Sequence, residues 1–141
     1  MLGTIVVGTD GSGTAAIAVE HAAGLAKSSG ALLVVVSAYP PPPEAAPPFA
    51  DAQGYPGVTV AQGLLEDVER RYTGELSIRT VLAEGDPADV IIDAAEANVA
   101  DLIVVGNKGM TGGKRFVIGS VPNTISHHSP CDVLIVHTSD R

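Results

Sequence analysis

The stretch DLIVVG, residues 101–106, is a short aliphatic run that leads directly into the glycine-rich segment GNKGMTGGKRFVIGS, residues 106–120. Its apolar residues are continuous and do not alternate with polar ones. Strands with this pattern are buried on both faces, as in a parallel sheet covered by helices. The stretch therefore predicts a strand of a parallel sheet whose carboxyl end opens into a glycine-rich loop.

The rest of the chain repeats this pattern. Similar runs are TIVV (4–7), ALLVVV (31–36), LSIRTVL (76–82) and DVLIVH (132–137). Alanine-rich stretches with helical periodicity separate them, at 14–27, 60–73 and 88–99, and a further helix follows Gly119 with Ser120 as its candidate N-cap. Strands that alternate with helices predict an α/β fold: one doubly wound parallel sheet with helices on both faces. The length predicts a single domain, residues 1–141.

The composition limits the function classes. The formal net charge is −8, which argues against nucleic acid or an anionic membrane surface as a partner. No apolar run approaches the length of a membrane span, and the start MLGTIVVGTDGS is predicted to be a first strand and not a signal peptide. The single cysteine, Cys131, suits a reducing compartment. These features predict a cytoplasmic protein without a nucleic-acid or membrane partner.

The segment PPPPEAAPPFADAQGYPG, residues 40–57, interrupts the alternation of strands and helices. Its prolines and glycines predict that it contains no regular element. It is also too long for an ordinary connection between a strand and a helix. We expect a mobile surface loop, and the alternative is a lid over a site or a contact with a partner.

Two glycine-rich loops are candidates for ligand binding. GTDGSGT, residues 8–14, follows the first predicted strand, and residues 106–120 follow the fourth. Both lead into a helix, and ligands of open α/β sheets bind beyond the carboxyl ends of the strands. Exposed N–H groups at helix starts favour anions, and Lys108, Lys114 and Arg115 add positive charge to the second loop. The two loops together predict a phosphate-binding site.

Three known phosphate-binding patterns match the first loop only in part. The chain has no Gly-Lys pair followed by Ser or Thr, which a P-loop requires. A dinucleotide fingerprint could run through Gly11, Gly13 and Ala16, but no acidic residue closes the second predicted strand. The loop is also similar to the hydroxyl-rich loop of flavodoxins, although aromatic residues make up only 4% of the chain. An FMN-binding electron carrier therefore stays open as an alternative.

The spacing of Gly106, Gly109, Gly119 and Ser120 gives a more specific signal: Gly, two residues, Gly, nine residues, Gly, then Ser. With VVGTDGS (6–12), ADLIVVGNKG (100–109) and GSVPNTISHHSPCDVLIVH (119–137), the chain resembles the universal stress protein family, in particular its single-domain, ATP-binding-motif, actinobacterial-like members. The resemblance covers the whole length. It implies a sheet with strand order 3-2-1-4-5, which would bring the two glycine-rich loops to one crevice.

The resemblance also implies an ATP-binding stress-response regulator. Asp10 would lie near the ribose, the backbone of Ala38 would recognise adenine, and Gly119, Ser120 and Val121 would contact phosphates. Mg²⁺ or Mn²⁺ would be held through the phosphates and not by the protein. The residues implied in nucleotide binding are Thr9, Asp10, Ala38, Gly106, Asn107, Lys108, Gly109, Met110, Thr111, Gly112, Gly119, Ser120 and Val121.

Several further expectations follow from the residues and the resemblance. No catalytic group is evident, so we expect no enzyme beyond slow ATP hydrolysis or autophosphorylation. We expect His127 and His128 to be surface residues and not metal ligands, since their spacing matches no zinc pattern. The resemblance implies a homodimer through residues 132–137. Alternatives are a cyclic AMP-binding member that buffers this second messenger, and an interaction module without nucleotide.

Overall fold

The computed structural model describes residues 2–41, 56–107 and 120–138. Strands and helices alternate along these ranges. The strands are β1 Thr4–Gly8, β2 Leu32–Tyr39, β3 Ile78–Glu84, β4 Leu102–Gly106 and β5 Asp132–Val136. The helices are α1 Gly13–Ser29, α2 Pro56–Tyr72, α3 Pro87–Ala97 and α4 Ser120–His128.

The strands form one parallel sheet in the order β3-β2-β1-β4-β5. In β1, Val6 lies opposite Val34 of β2 on one side and Ile103 of β4 on the other. The chain therefore moves outward to one side from β1 through β3, and then crosses to the other side for β4 and β5. This topology confirms the predicted α/β fold and its strand order.

The two faces of the sheet carry separate apolar layers, because successive side chains of a strand point to opposite faces. Ile5 and Val7 of β1 pack in the layer that α1 and α2 cover, and Val6 packs in the layer that α3 and α4 cover. All three side chains have no exposed surface. Burial on both faces explains why the strand sequences are continuously apolar.

The local sequence sets where the helices begin and end. Ser12 caps α1, with its Oγ accepting a hydrogen bond of 3.2 Å from the N–H of Ala15, and Gly30 ends this helix at φ 73°. Asp86 caps α3 in the same way, and Pro87 occupies its first turn. None of the helices in the described ranges is long and apolar enough to cross a membrane.

Three predicted boundaries are wrong by a few residues. The second strand continues to Tyr39, not to residue 36, because its last residues pair with β3 as far as Glu84. The third strand spans 78–84, not 76–82. Helix α2 begins at Pro56, inside the segment 40–57 that was predicted to contain no regular element, since proline is tolerated in a first helical turn. The predicted mobile loop or lid otherwise falls on residues 42–55, outside the described residues.

Candidate functional site

A crevice opens between the carboxyl ends of β1 and β4, where the strand order reverses. The starts of α1 and α4 border it, so residues of the first glycine-rich loop and the described ends of the second lie at this point. The lining residues are Gly8, Thr14, Ala15, Val105, Gly106, Val121 and Pro122. Open α/β sheets bind ligands at such a reversal point.

A second cavity lies beside this crevice, at the carboxyl ends of β1 and β2. The start of α3 closes it on one side. Its lining residues are Thr9, Asp10, Val36, Ala38, Pro87 and Ile91. Gly8 of the crevice and Thr9 of this cavity are consecutive residues, so the two spaces are neighbours along the exit of β1. Together they offer an elongated site with one mainly apolar compartment at each end.

The loop between β1 and α1 is held by its own side chains. Thr9 Oγ1 accepts a hydrogen bond of 3.2 Å from the N–H of Gly11, and Asp10 Oδ1 accepts one of 2.9 Å from the N–H of Ser12. Gly11 has φ +83°, a backbone conformation that favours glycine. Thr9 is buried while Asp10 is exposed. The bond to Ser12 uses one carboxylate oxygen of Asp10, and the other oxygen stays available to a ligand.

Ala38 lies within β2, two residues beyond the apolar run 31–36 from which this strand was predicted, because pairing with β3 extends β2 to Tyr39. The C=O of Val36 accepts from the N–H of Thr9, and the C=O of Tyr39 accepts from Gly85 on the opposite side, each at 2.9 Å. Since backbone groups of a strand alternate sides, the N–H and C=O of Ala38 face the β1 side.

Pairing with β1 has ended before Ala38 is reached, since the last pair joins Gly8 and Val36. In the part of the chain that the structure describes, no backbone group pairs with the N–H and C=O of Ala38 on this side. Within the described residues, a backbone donor and acceptor without a backbone partner therefore lie next to each other at a residue that lines the second cavity. Such groups need a partner, either water or a ligand.

The helix starts give the two cavities different electrostatic character. Neither α1 nor α4, which border the crevice, has an acidic residue in its first turn. Helix α3, beside the second cavity, has Asp86 as its cap and Asp89 in its first turn. An uncompensated helix N-terminus favours anions, whereas these two carboxylates repel them. The crevice is thus the better place for phosphate and the second cavity for a neutral group.

The exit of β4 is tied to the end of β5. The N–H of Asn107 donates to the C=O of Val136 at 2.9 Å, and Asn107 Oδ1 accepts from the N–H and the hydroxyl of Thr138 at 2.9 and 2.8 Å. Thr138 is buried, with 2% of its surface exposed. Sequence reasoning missed Thr138, because it lies beyond every predicted strand and 31 residues from Asn107.

The structure describes seven of the thirteen predicted nucleotide-binding residues, which fall into three groups. Gly106 and Val121 line the crevice, and Thr9, Asp10 and Ala38 line the second cavity. Asn107 follows β4, and Ser120 is the first residue described in α4 and is exposed. Lys108, Gly109, Met110, Thr111, Gly112 and Gly119 lie outside the described residues.

Other lining residues were not singled out from the sequence. Thr14, Pro87 and Ile91 line one of the two cavities, as do several core valines. The Asp86–Pro87 step that follows β3 was a usable signal, because an N-cap followed by proline marks a helix start at the carboxyl end of a strand. Ile91 carried no such signal, since its sequence pattern is that of a core residue.

The remaining candidate residues lie away from both cavities. His127 and His128 are exposed at the end of α4, with ring centroids 6.5 Å apart. Across residues 2–41, 56–107 and 120–138, no group of three or more His, Cys, Asp or Glu is placed to hold a metal ion. Burial raises the pKa of the Cys131 thiol, so the thiol stays protonated at neutral pH.

Comparisons with known proteins agree with the motif. The sequence profile of the Universal stress protein family matches residues 1–137. The universal stress protein Rv1636 of Mycobacterium tuberculosis H37Rv is 36% identical over 141 residues, which cover 96% of this chain and 97% of that protein.

Solved structures give the same result. A universal stress protein solved in complex with cAMP is 35% identical, with a TM-score of 0.76 over 98% of this chain and 99% of its own. A universal stress protein family protein from Arabidopsis thaliana with AMP bound shares the fold at 16% identity, with a TM-score of 0.70 over 97% and 92% of the two chains. The profile and the mycobacterial relative span nearly the whole chain, and they show that it belongs to the universal stress protein family.

Proposed function

We propose that this chain binds ATP across the two cavities and acts as a stress-response regulator in the cytoplasm. The observation that carries the proposal is Ala38, which lines the second cavity and whose backbone N–H and C=O have no backbone partner on the β1 side among the described residues. The adenine ring would occupy this cavity, and the phosphates would extend toward the crevice between β1 and β4. The family resemblance implies the same arrangement, with adenine at Ala38 and the phosphates at the start of α4.

The placement of adenine in the second cavity is supported by matching hydrogen-bond donors and acceptors. Adenine presents an amino donor next to a ring-nitrogen acceptor, and the C=O and N–H of Ala38 supply the matching acceptor and donor. Val36 and Ile91, both buried, give the cavity apolar walls on which the ring can pack. Sites of this kind hold the ligand by apolar contact and fix its orientation with a few polar groups.

The phosphate end is supported by the helix starts. The first turns of α1 and α4 carry no acidic residue, and their N–H groups would stabilise a phosphate in the crevice. Asp10 is the one carboxylate that lines either cavity in the described part of the chain, and its free oxygen suits a ribose hydroxyl. A single carboxylate makes a poor binding site for a divalent cation. Mg²⁺ or Mn²⁺ would accordingly be held through the phosphates.

A second candidate ligand is cyclic AMP, because a family member of 35% identity was solved in complex with cAMP. Cyclic AMP has the same adenine edge as ATP and would make the same contacts with Ala38. It lacks the polyphosphate, so it would gain less from the start of α4 and from Lys108, Lys114 and Arg115. The two ligands would compete for one site, and their relative affinities decide between an ATP-dependent regulator and a buffer of the second messenger.

We propose binding and regulation, not rapid catalysis. Among the described residues that line the two cavities there is no His, Cys or Lys to act as base or nucleophile. Neither cavity is lined by an aromatic ring in the described ranges, which disfavours the flavodoxin-like alternative, since a flavin would stack on such rings. Slow ATP hydrolysis or autophosphorylation is compatible with this role.

We also propose that β5 pairs with its copy in a homodimer. This strand is at one edge of the sheet, so one side of its backbone is free of pairing within the described chain. Leu134 of β5 is 38% exposed, and it is one of the few large apolar side chains exposed to this extent in the described ranges. An apolar edge strand of this kind pairs with another strand when it is not protected.

Calorimetry on nucleotide-free protein tests the ligand. Protein unfolded in denaturant, washed and refolded is titrated with ATP, AMP and cyclic AMP, with and without Mg²⁺. We expect saturable binding of all three, with ATP or cyclic AMP tightest. Absence of binding for all three nucleotides would remove the proposal and favour an interaction module. Preferential binding of FMN would favour the electron-carrier alternative.

A further inference from the structure

Thr138 makes an unusual set of contacts for a residue beyond the last strand. It follows β5 by two residues, and 2% of its surface is exposed. Both its N–H and its hydroxyl donate to one atom, Asn107 Oδ1, at 2.9 and 2.8 Å. The N–H of Asn107 in turn donates to the C=O of Val136 at 2.9 Å. Three hydrogen bonds therefore join the residue after β4 to the end of β5.

These bonds fix the orientation of the Asn107 amide. A backbone N–H can only donate, so the atom that faces the N–H of Thr138 must be the amide oxygen and not the nitrogen. The amide NH₂ group therefore points away from Thr138. Among the described residues, none accepts a hydrogen bond from this NH₂ group. Within the described residues, these two N–H donors therefore have no acceptor at the carboxyl end of β4, next to the proposed phosphate crevice.

Thr138 also packs against Gly106, the residue before Asn107, which lines the crevice. A Cβ placed on Gly106 would lie 3.1 Å from Thr138 Cγ2 and 3.5 Å from its Oγ1. The first of these separations is tighter than most side-chain contacts, so a side chain at position 106 would require Thr138 to shift. Thr138 thus contacts both residues that lead from β4 into the loop.

We propose that Thr138 is a positioning residue of the nucleotide site. It holds Gly106 and Asn107 so that the amide NH₂ of Asn107 stays free to donate to a phosphate oxygen of the bound nucleotide. This inference rests on the proposed nucleotide function. It adds Thr138 to the nucleotide site, although Thr138 lies outside the glycine motif.

Calorimetry on single variants, with ATP and with adenosine, tests the proposal. Thr138→Val keeps the shape and the backbone N–H but removes the hydroxyl donor, and it should weaken ATP binding about threefold to tenfold. The affinity for adenosine, which lacks phosphates, should change by less than about twofold in this variant. Thr138→Ser restores the hydroxyl and should restore ATP affinity. Thr73→Val is a matched control, since its hydroxyl donates at 2.6 Å to the C=O of Glu69 at the far end of α2.

A double-mutant cycle with Asn107→Ala separates positioning from general destabilisation. If Thr138 acts through Asn107, Thr138→Val should not weaken ATP binding further once the amide is absent. Three results would each overturn the proposal. Thr138→Val could lower ATP affinity equally with and without Asn107, could lower the affinities for ATP and adenosine equally, or could leave ATP affinity unchanged. If wild-type protein binds no adenine nucleotide, the proposed function fails first and the cycle is not reached.

Asn107→Asp keeps the test open if Thr138→Val does not fold. Its carboxylate can still accept both hydrogen bonds from Thr138, while an oxygen replaces the NH₂ group. The added negative charge should weaken ATP binding by more than about tenfold. The affinity for adenosine should stay within about twofold of wild type. Unchanged ATP affinity in Asn107→Asp would contradict a role for this amide beside the phosphates.

Discussion

The carboxylate of Asp101 accepts a hydrogen bond of 2.8 Å from the backbone N–H of Gly3, across 98 residues of sequence. The same oxygen accepts a second bond of 3.1 Å from the N–H of Thr4, and the N–H of Asp101 donates at 2.9 Å to the C=O of Thr4. These bonds join the amino ends of β1 and β4, the two central strands. The candidate site lies between the carboxyl ends of the same two strands.

Acidification should weaken this connection. The bonds from Gly3 and Thr4 hold the pKa of Asp101 below its ordinary value of 3.8. A carboxyl group with a lowered folded-state pKa stabilises the protein above its unfolded pKa, and this contribution is lost as the pH falls through the folded pKa. We therefore expect Asp101→Asn to lower the urea midpoint at about pH 7, and the difference from wild type to shrink as the pH falls below 3.8.

Asp93→Asn is a suitable control, because Asp93 is exposed on α3. It should leave the urea midpoint within experimental error of wild type at both pH values. A difference between Asp101→Asn and wild type that does not change with pH would show that the ionised carboxylate is not responsible.

The loop between β1 and α1 should require glycine at position 11. Gly11 has φ +83°, and a Cβ there would lie 2.6 Å from Leu64 Cδ2 of α2. We expect Gly11→Ala to destabilise the fold by about 1–3 kcal/mol, from the left-handed backbone and the collision with Leu64. Gly24→Ala, in open space within α1, should stabilise it by about 0.5–1 kcal/mol. Equal effects of the two substitutions in urea unfolding would contradict this geometry.

The site should prefer adenine over guanine. The C=O and N–H of Ala38 match the amino group and ring nitrogen of adenine, whereas guanine presents an acceptor and a donor in the reversed positions. We expect GTP to bind at least about tenfold more weakly than ATP, since mismatched polar groups would remain unpaired in the cavity. Competition of both nucleotides against a fluorescent ATP analogue measures the ratio. Equal affinities would mean that Ala38 does not contact the base.

The edge strand β5 should control self-association. Leu134→Lys places a charge on an exposed apolar position of this strand, which opposes strand pairing between copies. We expect the mass in sedimentation equilibrium to fall from that of a dimer to that of a monomer. Val60→Lys introduces the same charge at an exposed apolar position of α2 and should leave the dimer intact. A dimer that survives Leu134→Lys would place the interface elsewhere.

Much of the fold could be predicted because its signals are local. Ile5, Val6 and Val7 are apolar on both faces, which identifies a central parallel strand before any contact is known. The cap at Ser12 and the break at Gly30 follow from the residue types at those positions. The order of the strands, in contrast, came from the family resemblance, since alternation of strands and helices is common to many orders.

The parts of the site that depend on distant contacts could not be predicted. Ala38 belongs to β2 only because the strand continues to pair with β3, and the sequence after Val36 gave no sign of this extension. The bonds from Thr138 to Asn107 and from Gly3 to Asp101 join residues far apart in the chain. Whether a side chain is satisfied within the protein or free for a ligand depends on such contacts.

We propose that ATP lies across the crevice with its base at Ala38. The decisive measurement is of backbone amide chemical shifts in ¹⁵N-labelled, nucleotide-free protein. On titration with ATP, the amide of Ala38 should move and become protected from hydrogen exchange, together with those of Gly106 and Val121 in the crevice. A contrary result would be an unchanged Ala38 with shifts at Leu64 and Tyr72, which line the separate cavity between α1 and α2.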